Sequence, residues 1–238
     1  AYDLPLELCS EVASAARDLD ALLHIHVCET RHEGAELEAQ HGGKSTIELL
    51  AEHGILDGRV LAAHSVWVNE NGIETYAQKN VGVAHCPVSN MKLASGAAPV
   101  VSMRARGIQV GLATDGPASN DDLDLWQEIK FAPLLARVTA LDAATMTPRD
   151  ALTMATTEGS RVIGNDDSGV LQIGAKADFI RLELDDPTFV PVTNNDELIA
   201  HVAWSGSGRH VTDVWVQGTQ VVANRCITNF DLERAIAE

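Results

Sequence analysis

Four short apolar runs in this chain each end in a residue that binds metals or moves protons. Leu22-Leu23-His24-Ile25-His26-Val27 carries an imidazole near its end, and Glu29 follows three residues later. Val60-Leu61-Ala62-Ala63 leads into His64, Val81-Gly82-Val83-Ala84 into His85, and Val110-Gly111-Leu112-Ala113-Thr114 into Asp115. Neutral imidazole with carboxylate is a usual hydrolytic zinc shell. Asp115 can ligate a metal and hydrogen-bond the attacking water, while Gly116 lets the backbone turn sharply and keeps the site open. An Asp-Gly pair alone is an ordinary turn. Here it follows an apolar strand and precedes Pro117-Ala118-Ser119-Asn120.

Strands that deliver His, His, His and Asp from their C-terminal ends describe one side of a (β/α)₈ active site. Alternation sets the direction of the first two histidines. Leu23, Ile25 and Val27 share an apolar face suited to outer helices, so His26 points into the barrel at its upper rim. His24 points the same way one layer lower and is expected as a buried layer residue.

The elements that must position these groups follow from periodicity and caps. Pro5 to Leu19 reads as a helix with Leu8, Val12, Ala15 and Leu19 on one face. Ser45 and Glu48 form a capping box, and Gly54 ends that helix. A helix over about Glu70 to Lys79 precedes the His85 strand. A short one over Pro99 to Arg106, stopped by Gly107, precedes the Asp115 strand. Strand and helix thus alternate four times, as in βα units around parallel strands. Asp122 to Val138 reads as a long amphipathic helix, and Thr147-Pro148 opens another as N-cap and N1. Near Gly169 the character changes. Phe179 to Leu184 alternates apolar and polar, and Val211–Gly218 and Gln220–Ala223 read as strands joined at Gly218-Thr219. A terminal helix is expected from Asp231 to Ala237. The change of character divides the chain after 165; the family resemblance described below implies the second half of the barrel at 1–165 and a β-sandwich portion with the terminal helix at 166–238.

Composition narrows the function classes. The 238 residues carry 17 Lys and Arg against 34 Asp and Glu, a net charge of −17. Such a surface repels nucleic-acid backbones and anionic lipid. The four scattered cysteines, Cys9, Cys28, Cys86 and Cys226, are expected as reduced, buried apolar residues in a cytoplasmic protein. A homo-oligomer is expected.

HIHVCET, VLAAHSVWV, AHCPVSNMKLASG and LATDGPASNDD together resemble the amidohydrolase superfamily. They are most similar to its branch of 5-methylthioadenosine/S-adenosylhomocysteine deaminases and to the related triazine hydrolases. TPRDALTMATTEGSRVIG and GVLQIGAKADFI resemble the same family's barrel end and its return to a β-sandwich. The resemblance implies an α/β fold, a metal-dependent (β/α)₈ TIM-type barrel followed by a small sandwich. It implies Zn²⁺, with Fe²⁺ as an alternative, held by His26 and Asp115. Glu29 then shuttles a proton to a ring nitrogen of a heterocyclic substrate, His64 orients the hydrolytic water, and Asp115 accepts a proton. Glu29 and Asp115 also contact the substrate. Ser89 to Leu93 matches a family loop that builds the site. The expected activity is a cyclic-amidine deamination of an adenosine-type purine with release of ammonia. A triazine-type chlorohydrolase or aminohydrolase on the same site is the alternative.

One departure bears on completeness. The family carries two ligands in a His-x-His motif on its first barrel strand. His24-Ile25-His26 is not that motif, because the span from His26 to Asp115 holds only about three βα units of ~30 residues, where the family has seven. The chain therefore reads as the second half of a barrel, and its opening on Ala1 fits that expectation. A third reading, a non-catalytic fragment that completes a partner, follows for such a half in isolation.

Overall fold

The computed structural model describes residues 4–237, so Ala1 lies outside the described residues. Helix α1 (Leu6–Asp18) leads into β1 (Leu23–Val27). Thr30 caps α2 (Arg31–Gln40), and the Ser45–Glu48 capping box opens α3 (Thr46–Glu52), which returns the chain to β2 (Val60–His64). Asn69 caps α4 (Glu70–Lys79), followed by β3 (Gly82–His85). Two short helices, α5 (Pro87–Lys92) and α6 (Val100–Ala105), lead to β4 (Val110–Leu112). Then come α7 (Pro117–Asn120), α8 (Leu125–Ala140), α9 (Pro148–Ala155) and α10 (Thr157–Val162). The remainder holds β5 (Phe179–Leu182), α11 (Asn195–Ser205), β6 (Val211–Val216), β7 (Thr219–Ala223), β8 (Cys226–Ile227) and α12 (Leu232–Ala237).

Two sheets result. The first is parallel in the order β1-β2-β3-β4, each strand paired with its sequence neighbour. The second is antiparallel in the order β5-β6-β7-β8. Both match the expected partial barrel and sandwich. Val27, Val60, Ala62, Val83 and Val110 turn one face of the parallel sheet onto Ile47, Leu50, Ile73 and Met103 of the outer helices. Leu61, Ala63 and Ala84 take the other face, with Leu22, Ala113 and Val162 against them. That second face admits α10 closely. A Cβ at Gly111 would lie 2.9 Å from the Gly159 Cα, so the contact requires glycine. Helix α11 packs on α8 and α9, with Ile129, Ala151 and Ala203 between them. Among the described residues no helix is long and apolar enough to cross a membrane.

Several expectations are corrected. Helix α1 buries Leu6, Cys9 and Ala13, whereas Leu8 and Val12 of the expected face are 41% and 45% exposed. The helix carries two overlapping apolar stripes, and the one with Leu6, Cys9 and Ala13 enters the core. His24 is exposed, because β1 is an outer strand and the face beside it has no further strand among the described residues. Strand β4 ends at Leu112, three residues before Asp115. Helix α8 starts at Leu125, since Asp124 caps it and Asp121 and Leu123 have positive φ. Cys226 is exposed on the last strand; all four cysteines are free thiols.

Candidate active site

The C-terminal ends of β1 and β2 and the segments that follow β1 and β4 carry the site. Their backbones enter left-handed φ values at Cys28 (51°), His64 (66°), Ser65 (51°) and Asp115 (63°). For non-glycine residues this conformation costs energy and re-aims the side chain. It matters most at His64. Ala63 lies on the inner face, so strict alternation would send His64 outward; instead its ring stacks on His26, with centroids 5.3 Å apart and an interplanar angle of 17°.

Donor atoms of His26, His64 and Asp115 all lie within 4.8 Å of one another. Two imidazoles and a carboxylate in that space fit a divalent ion such as zinc. The sequence reading put His26 and Asp115 in the ligand set and gave His64 the water; the geometry brings a donor atom of His64 into the same cluster. Asn90 Oδ1 accepts from His64 Nδ1 at 2.9 Å, which turns the ring's Nε2 toward the cluster's side as an acceptor. Glu29, 8% exposed, sits with Oε2 3.5 Å from His64 Nε2, and Ser95 Oγ donates to its Oε1 at 3.4 Å. All four predicted site residues therefore meet in one place. His85, at the end of β3, stands outside the metal-capable cluster and is 1% exposed.

The charge states suit metal binding. Burial lowers the His26 pKa, and the neighbouring His64 adds to this against the pull of Asp115, so its imidazole stays neutral at neutral pH. Burial alone would raise the Asp115 pKa. Hydroxyl donors Ser119 (2.6 Å) and Ser89 (2.7 Å), both on Oδ2, together with the Gly116 backbone, outweigh it and hold the carboxyl below its usual range.

Sequence reasoning reads Ser89 to Leu93 as site architecture but assigns three supporting groups no individual role. Ser89 and Asn90, both buried, lie in the quoted loop, and Ser119 lies in the stretch after Asp115. Glu128 was missed outright. It is fully buried on α8, with Oε2 accepting from the Val88 N–H (3.1 Å) and Oε1 from Asn120 Nδ2 (2.7 Å). Burial pushes its pKa to about 7 despite these two donors, with Asp122 and Asp115 adding to the rise. A signal existed: Glu128 shares a helical face with buried Ala132 and Ala136, where a carboxylate needs partners.

Comparison with known proteins bears on the family and the fold. The amidohydrolase family model matches residues 1–221. The chain is 40% identical over 237 residues to the 5-methylthioadenosine/S-adenosylhomocysteine deaminase of Pelotomaculum thermopropionicum, covering all of this chain and 54% of that protein. It superposes on an adenosine deaminase from Xanthomonas campestris with bound zinc at a TM-score of 0.92 and 32% identity, over 99% of this chain and 53% of that one. It superposes on the zinc complex of atrazine chlorohydrolase from Arthrobacter aurescens TC1 at 0.88 and 30% identity, over 98% and 51%. The chain spans about half the length of the curated relatives it matches. With the family model matched over most of its residues, the chain belongs to the amidohydrolase family.

Proposed function

We propose that this chain supplies the His26–His64–Asp115 side of a metal-dependent hydrolytic deaminase, acting on an adenosine-type purine such as 5-methylthioadenosine or S-adenosylhomocysteine. The observation that carries the proposal is the convergence of three donor atoms within 4.8 Å, with the Glu29 carboxylate 3.5 Å from one of the rings. His26 and Asp115 would hold the metal, Zn²⁺ or alternatively Fe²⁺, with His64 beside them. When bound, the ion lowers the pKa of water to about 7 and so supplies a nucleophile at neutral pH. Asp115 takes the proton from that water and later passes it to the departing amine. Glu29 protonates the ring nitrogen as the amine-bearing carbon is attacked, and His64 orients the water through a ring fixed by Asn90. Ammonia leaves. Residues 1–165 are the barrel portion and 166–238 the sandwich portion in this reading.

The same residues serve a triazine hydrolase whose leaving group is chloride or an alkylamine. The curated relatives at 38–40% identity, named as deaminases, favour the purine reading over the atrazine chlorohydrolase at 30%. Ammonia release by the full-length, zinc-loaded protein from 5-methylthioadenosine, S-adenosylhomocysteine, adenosine and atrazine is the test. Turnover of the purines supports the proposal. Turnover of atrazine alone selects the triazine reading, and no turnover of any of them overturns both.

A further inference from the structure

Two separate segments reach Asp115. Ser89, in the first turn of α5, and Ser119, in α7, donate to the same oxygen, Oδ2, at 2.7 and 2.6 Å. Both bonds fall on one oxygen, so together they fix the rotation of the carboxylate, while Oδ1 carries neither of them. The hydroxyls hold Asp115 only as well as their own loops are held. Both loops end on one carboxylate beneath the site. Glu128 Oε2 accepts from the backbone N–H of Val88, the residue before Ser89, at 3.1 Å. Glu128 Oε1 accepts from Asn120, the residue after Ser119, at 2.7 Å. Asn120 in turn accepts from the Leu123 backbone at 3.1 Å, which locks its amide orientation. This carboxylate is fully buried.

We infer that Glu128 is a positioning residue for the reaction: one buried carboxylate clamps the loops of Ser89 and Ser119 together and thereby sets the orientation of the Asp115 carboxylate. The inference rests on the reading of Asp115 as metal ligand and proton carrier. Glu128 touches neither substrate nor metal in this arrangement. Its side chain accepts at both oxygens, and that is the property the clamp uses. Glutamine has the same volume but presents an NH₂ to one of two donors, so Glu128→Gln breaks one arm of the clamp and leaves the other.

The test uses the full-length, zinc-loaded protein. Outer partners of metal ligands typically change metal affinity or activity by 10–100-fold. Glu128→Gln, one bond further out, is expected to speed zinc loss to a chelator about tenfold and to lower kcat about tenfold, with KM changed less than about twofold. In a Ser89→Ala/Ser119→Ala background the same substitution is expected to change either quantity by less than about twofold, because the path it acts through is already cut. A crystal structure of the variant is expected to show at least one serine–Asp115 bond lost. Effects that multiply in the double-serine background would overturn the inference. So would wild-type zinc retention with both serine–Asp115 bonds intact. A wild-type protein without deaminase activity would sink the proposed function, while zinc retention and the crystal structure would still decide the clamp. If Glu128→Gln does not fold, Asn120→Ala removes one arm and should act in the same direction; a variant with wild-type zinc retention would count against the clamp.

Discussion

Replacing His85 should remove a large part of the protein's acid sensitivity. His85 is fully buried at the end of β3, and its Nδ1 has no hydrogen-bond partner among the described residues. Burial, with His64 nearby, pushes its pKa from 6.5 down to about 3. Between those values the unfolded chain binds a proton that the folded chain refuses. Stability from this group is therefore complete above pH 6.5, falls as the pH drops below it, and keeps falling until about pH 3. At pH 5 the unfolded imidazole is about 1.5 pH units below its own pKa while the folded one is still neutral. At 1.36 kcal/mol per unit, this one residue costs about 2 kcal/mol there. His85→Gln keeps a polar side chain that does not titrate. Urea unfolding of the full-length protein at pH 7.5 and 5, with excess chelator so that metal linkage drops out, gives the comparison. The wild type should lose about 2 kcal/mol more than the variant over that interval. Equal losses in the two proteins would refute the argument.

Other expectations concern the site and the core. Glu29→Gln should keep zinc content but lower kcat by about 10²–10⁴-fold, since glutamine retains the shape and cannot relay a proton; metal analysis beside an ammonia-release assay reads both. His26→Ala and Asp115→Ala should each lower zinc per chain by removing a donor of the three-atom cluster, and full occupancy in both would count against their assignment. Met103→Ala, at a fully buried position in the largest core cluster, should destabilise by about 2–5 kcal/mol in denaturant melts. Tyr76→Phe, which removes a buried hydroxyl paired with Ser65 at 3.3 Å, should cost about 1 kcal/mol.

What the sequence made legible was what local chemistry determines. The Ser45–Glu48 capping box and the Thr147 N-cap form as read, because each pairs a side chain with a backbone N–H three residues away. The four parallel strands were visible as apolar runs bounded by turns. Helix α2 was not, because it buries no residue and so carries no apolar stripe to detect. The convergence of His64 on His26 was outside the reach of alternation, since a left-handed φ at the strand's last residue reverses the direction that period two assigns. Glu128 escaped for a related reason: its role exists only when residues forty and eight positions away fold against it.

The placement of His26 on one outer strand of the parallel sheet and of Asp115 three residues beyond the other sets the order in which the molecule can become functional. Every strand pairs with its predecessor in sequence, from Leu23 with Val60 to Val83 with Val110. Each step closes a loop of only some 20–40 residues, and such local closures are fast. The donor cluster has the opposite character, joining the first strand to the last across roughly 90 residues. It cannot exist until β4 has docked and the sheet has curled enough to bring its margins together. Competence to bind an ion is therefore a late event, and the rate at which a refolding chain acquires it would time the completion of the sheet.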